Sequence, residues 1–183
     1  VILSAKYGKT KLTTAKIIAS YLFGALAFTL HVVVALGLPL AAFGFDGWDL
    51  PLQIANTTIP YPFTFLQSVL VNLGVVYLVL FALIGLTLLL SAKMKSPYFV
   101  LIVLVPVLFI PMFLSPNGTT GAYNLTLFLL PYRSTVPEIG KYISYQFGGL
   151  VLDAFTMRAI LYAVLTAVML PLARLGFKKH QVA

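Results

Sequence analysis

Gly8, Lys9 and Thr10 spell the last three positions of a phosphate-binding loop, whose backbone amides and lysine cradle the phosphates of a nucleotide. The full motif needs a second glycine five positions before Gly8, a strand ahead of it and a soluble helix behind it. That position is Leu3, and the chain runs on into a long apolar stretch, so this chain carries no nucleotide site. The acids Asp46, Asp49, Glu138 and Asp153 do not pair at a spacing that suits general acid/base work. His31 and His180 stand far apart and form no metal site. No Gly-x-Ser-x-Gly elbow is present, and zero cysteines exclude a thiolate nucleophile, a disulfide scaffold and an iron–sulfur cluster. The reading is no catalytic residue, no metal and no enzyme.

His31 sits near the middle of the first apolar run, where an ionisable side chain marks a pathway or a relay by default. No charged residue occupies a neighbouring span core, so a hydrogen-bonded neutral imidazole between helices is expected. Thr29, Gln67, Ser68 and Asn72 read as polar contacts between helices, and Gly24, Gly37, Gly74 and Gly85 as points of close backbone approach.

These residues are set in an unusual medium. The 183 residues are 61% hydrophobic and 9% charged, with a mean hydropathy of +1.02. Soluble domains are about 45–50% apolar and about 25% charged, so too few hydrated groups exist here to cover a globular surface. The chain is an all-α integral membrane protein on this arithmetic. The net charge of +8 would suit nucleic acid if it formed one patch. Its lysines and arginines instead flank apolar runs, which is the membrane pattern and excludes a nucleic-acid partner.

A crossing needs about 20 mostly apolar residues, and four windows supply them, at 17–43, 66–90, 97–114 and 155–175. Pro97 falls at a first helical position. Pro106 and Pro111 lie inside the third window and predict a kink and a hinge. Residues 44–64 read as a polar loop. The forty residues 115–154 read as short helices on the outer face. Within them 142–152 is aromatic-rich and lies at the interface or dips in and returns. A competing reading starts the last helix at about Ile143, burying Asp153 and Arg158 at a cost unless paired. Asp153 as an N-cap at the outer boundary is preferred.

Nine of the twelve lysines and arginines fall before the first window, between the second and third, or at and after the end of the fourth, where Arg174 is its last but one residue. The other side holds Arg133, Lys141, Arg158 and all four acids. Excess Lys and Arg marks the cytoplasm, so both ends of the chain are expected there, in a multi-pass protein of the cell membrane. Three sequons, at Asn56, Asn117 and Asn124, fall outside and read as Asn-rich turns. Valine at position 1 predicts either processing or a longer chain.

The first sixteen residues carry the most distinctive pattern. Ile2, Leu3 and Tyr7 lead through Gly8 into Lys9, Thr10 and Lys11, and Ala15 and Lys16 open the helix. This resembles the cytoplasmic coupling segment of type-2 exporter permeases of ATP-binding-cassette transporters, in the bacterial branch moving peptides, antibiotics and lipid-linked sugars. Ala5, Tyr7, Gly8, Lys9, Lys11, Ala15 and Lys16 match, and the closing 177–182 stretch resembles such tails. The resemblance implies a coupling segment at 1–16, a transmembrane region at 17–175 corresponding to the family's third to sixth spans, and a tail at 176–183. It implies a separate cytoplasmic ATPase subunit that holds ATP and Mg, docked by Ile2, Leu3, Ala5, Tyr7, Gly8, Lys9 and Lys11. It also implies a second permease subunit, and no cofactor on this chain. His31, Pro106 and Pro111 are then candidate pathway or hinge residues. The alternative is a small self-contained membrane protein, such as a vitamin-uptake binding subunit, with an outer pocket from Trp48, Asp49, Arg133 and Glu138.

Overall fold

The computed structural model describes residues 8–94 and 96–180. Its elements are α1 (Gly8–Phe43), α2 (Phe65–Lys93), α3 (Pro97–Phe113), α4 (Ala122–Leu129), α5 (Pro131–Ser134), β1 (Ser144–Phe147), β2 (Leu150–Asp153) and α6 (Ala154–His180), with one short 3-10 turn at Leu52–Ile54. Long helices are what such apolar runs require, because a backbone surrounded by lipid must satisfy its own hydrogen bonds. Helices α1, α2 and α6 are long and apolar enough to cross a membrane. Helix α3 is as apolar but has 17 residues, about 25 Å at 1.5 Å per residue. That falls short of about 30 Å of hydrocarbon. Full crossing length is therefore found in three helices among the described residues, against the four expected.

The helix ends follow from local chemistry. Thr64 and Gln67 form a reciprocal capping box at α2, each side chain meeting the other's amide at 3.1–3.2 Å. Ser96 caps α3 ahead of Pro97 at the first position. Asp153 Oδ2 accepts the amides of Phe155 and Thr156, so Asp153 is the N-cap of α6. Helix α1 stops where Gly44 turns to a φ of 87°, a conformation that suits glycine.

Helices α2 and α6 form the centre. Val75, Val79 and Ala82 of α2 pack with Phe155 and Tyr162 of α6, and Leu52, Ile59 and Tyr61 of the 44–64 loop cover their outer end. At the basic end Ile17, Leu88, Ala92, Ala173 and Phe177 form a second cluster. Small residues set how closely these helices meet. A side chain at Gly85 would stand 3.0 Å from the Tyr21 hydroxyl, and one at Gly176 only 2.9 Å from the Ala92 Cβ. Gly24 meets only the tip of Ile84, while Gly37 and Gly74 meet nothing within 4 Å. Of the expected polar contacts, Thr29 does join α1 to α2, through the Tyr77 hydroxyl at 2.6 Å. Gln67 serves the cap instead, and the buried Asn72 Oδ1 has no partner among the described residues.

The outer segments are more ordered than expected. Residues 44–64 fold back on themselves through Leu52 N–H to Phe63 O, Phe65 N–H to Leu50 O and Leu66 N–H to Trp48 O. They form an apolar plug with a polar rim. Helices α4 and α5 are the short outer helices, but 144–153 is a two-stranded antiparallel hairpin, paired from Ser144 with Asp153 to Phe147 with Leu150. An all-α description is corrected to that extent. Physically, Gly148-Gly149 supplies the turn and Gly148 its positive φ of 60°. Asn56 holds an Asx turn through Thr58, and the buried Asn124 spends its amide on Thr120 O. Asn56 is thus a turn residue as expected, whereas Asn124 stands in the first turn of α4 and braces the 117–120 segment ahead of it.

Candidate functional site

Chemistry gathers at the two ends of the molecule. At the basic end, Gly8, Lys9 and Lys11, expected in a segment ahead of the span, are already helical in α1. The helix continues unbroken to Phe43. Ile2, Leu3, Ala5 and Tyr7 lie outside the described residues. The first turns are clamped to the bundle. Thr13 and Ile17 are buried, and Lys16 Nζ stands 4.3 Å over the Phe177 ring of α6, a cation–π contact. Lys11 and Leu12 remain exposed on the other face.

At the opposite end an aromatic cluster roofs the α2–α6 pair. Tyr61 stacks on Phe63 at 5.6 Å and 15°, and meets Phe155 edge-on at 5.2 Å and Tyr142 at 5.8 Å. Beside it opens a cleft of about 550 Å³, to which these four rings and Asp153 all contribute.

Behind the roof lies a residue that the sequence offers only as a cost of the competing reading. Arg158, in the second turn of α6, is fully buried, and its Nε donates to Phe128 O at 3.0 Å. The carboxyl end of α4 is held on all sides. Tyr145 donates to Leu125 O at 2.9 Å, Tyr162 to Leu129 O at 2.6 Å, and Ser134 to Phe128 O at 3.4 Å. A helix C-terminus carries partial negative charge, so it meets the guanidinium directly, while Glu138 acts on it from beyond ion-pair distance. Nη1 and Nη2 of Arg158 have no partner among the described residues. The competing sequence reading had placed Arg158 at depth at a cost. Its burial is real, with a helix end as compensation.

Burial pushes the Tyr145 hydroxyl up to about 12, against the pull of Arg158. Burial, then the charge of Asp153, also raises Tyr61. The unfolded Tyr145 ionises near its ordinary value of about 10. The stability it contributes is therefore whole below that pH and lost as pH rises through about 12. The unfolding free energy, followed from pH 9 to 12, should fall more steeply in the native protein than in Tyr145→Phe. Parallel curves for the two would show that Tyr145 has no such role.

Other nominated residues are dispersed. His31 is exposed on α1 and has no hydrogen-bond partner among the described residues, so the expected link to another helix is corrected: its face of α1 points away from the bundle. Pro106 is exposed and Pro111 buried, both within α3. Two apolar crevices of about 360 and 270 Å³ separate α3 from α2 and its neighbours. Arg133 Nη1 pairs with Glu138 at 3.7 Å, while Trp48 lines a different cleft with Asp46 and Phe65. The four-residue outer pocket of the binding-subunit reading is not assembled.

Compared with protein-family models, with curated proteins and with solved structures, the chain matches none.

Proposed function

We propose that this chain is a membrane-spanning permease subunit of an ATP-driven exporter in a bacterial cell membrane. Helices α1, α2, α3 and α6 cross four times, with both ends of the chain toward the cytoplasm. ATP and Mg belong to a separate cytoplasmic ATPase subunit, and a second permease subunit completes the pathway for a peptide, drug or lipid-linked molecule. The observation that carries this reading is the unbroken α1. A push on its basic first turn is delivered without a joint into the membrane, and through Ile17 and Lys16 into α2 and α6. Helix α3 supports the same reading, because two internal prolines and two apolar crevices leave it free to repack.

The test is substitution of Tyr7 and Gly8 by Ala and Leu in the protein assembled with its ATPase. Transport should fall by about tenfold or more, as loss of a coupling free energy requires, with the unfolding midpoint unchanged. Undiminished transport would end the coupling assignment. Reporter fusions after Trp48 and after Ala183 should appear in opposite compartments, and a common side would end the four-crossing layout.

A further inference from the structure

The outer cleft changes chemistry from one end to the other. Toward the membrane it is bounded by Val71, Val75 and Leu78 of α2 and Ala159 of α6. From Val71 to Leu78 is about 10 Å along the helix, a wholly apolar trough. At its outer end stand the rings of Tyr61, Phe63, Tyr142 and Phe155, and Asp153 is the one charged side chain among the described residues that line it.

Asp153 is not neutralised by its capping role. Oδ2 accepts two amides and Oδ1 the Thr156 hydroxyl, leaving one of about four acceptor sites on the carboxylate. The helix N-terminus offsets only about half a unit of its charge. The aromatic faces add negative potential on the same side. The cations nearby do not cancel it. Arg158 is fully buried, absent from the lining and bound to Phe128 O. Arg133 is paired with Glu138. Lys141, next to the half-exposed Tyr142, is exposed.

We propose that this cleft binds a zwitterionic phospholipid. Its ammonium group rests against Asp153 and the tyrosine rings, its phosphate meets Lys141, and one acyl tail lies in the α2 trough. A cation beside an aromatic face and a carboxylate is the expected recognition chemistry for a choline or ethanolamine headgroup. The site stands whether or not the chain works with an ATPase.

The experiment is native mass spectrometry of the full chain in detergent, offered equal amounts of phosphatidylcholine and phosphatidylglycerol with identical tails. The choline lipid should be retained in preference by about fivefold or more. Asp153→Asn should abolish that preference, since asparagine caps a helix as well as aspartate does. Its oxygen keeps the two amides and its NH2 donates to the Thr156 hydroxyl, which turns from donor to acceptor, so the cap stays while the charge is lost. Tyr142→Ala, at an exposed rim position, should weaken the preference by about threefold. Unfolding midpoints matching the native protein establish that both variants fold. Equal retention of the two lipids overturns the proposal, as does an unchanged preference in Asp153→Asn. Displacement of the lipid by choline chloride at equal concentration also overturns it, and reassigns the cleft to a soluble cation.

Discussion

Arg158→Ala should lower the unfolding free energy by about 3–5 kcal/mol, the range for emptying a fully buried site and stranding an acceptor. The argument is geometric. Arg158 is fully enclosed, and its Nε makes the shorter of the two hydrogen bonds found on Phe128 O among the described residues, the other coming from Ser134 at 3.4 Å. Alanine leaves both a cavity and a weakly satisfied helix end beneath the hairpin. Arg158→Met is the informative contrast. Methionine refills most of the volume and removes a buried charge that makes no ion pair among the described residues, so its cost should be about 1–2 kcal/mol. Denaturant unfolding in a mild detergent measures both. Equal losses in the two variants would mean that refilling the volume contributes nothing and that the lost bond to α4 carries the whole effect.

Gly176→Leu should separate α2 from α6 at the basic end, at a cost of about 2–3 kcal/mol. The Cβ alone would stand 2.9 Å from the Ala92 Cβ, and a methyl carried directly on a helix backbone has no rotamer by which to retreat. Ala92 and Ala173 are themselves almost fully buried, so the strain passes into the cluster that holds Ile17 and Phe177. A cross-link between cysteines introduced at Leu89 and Ala173 should form readily in the native background and slowly in Gly176→Leu. A cross-linking rate unaffected by the substitution would show that the helices are not in contact there.

Much of the scaffold was readable because lipid-facing helices are written as long apolar runs. Their caps were written in the residues beside them, Pro97 at the start of α3 and Asp153 at the start of α6 being two instances. Turn chemistry was readable at Asn56 for the same reason, since its partner is two residues away. The hairpin was less visible. Gly148-Gly149 gives its turn, but Phe147, Leu150 and Val151 are all exposed, so no inside-outside alternation marked the strands. Arg158 was opaque for another reason. Its partner is 30 positions distant and is a backbone carbonyl, which no side-chain pattern can announce. Gly176 lay one residue past the expected end of the last span. His31 shows the converse difficulty, because an apolar run does not say which of its faces meets protein.

Helix α1 touches the bundle from Thr13 to the Thr29–Tyr77 hydrogen bond, and beyond it no residue from 30 to 43 is buried. Those 14 residues form a mast about 21 Å tall, stepped at its foot and stayed at its head by the short strap from Gly44 to Trp48, which is bonded to the first turn of α2. A tilt of about 5° at the foot carries the masthead about 2 Å sideways against that strap over that height. Leu30, Val33, Val34 and Leu38 would sweep with it, so whatever lies alongside them, acyl chains or the flank of a sister subunit, is where a small displacement at the basic end is read out most strongly.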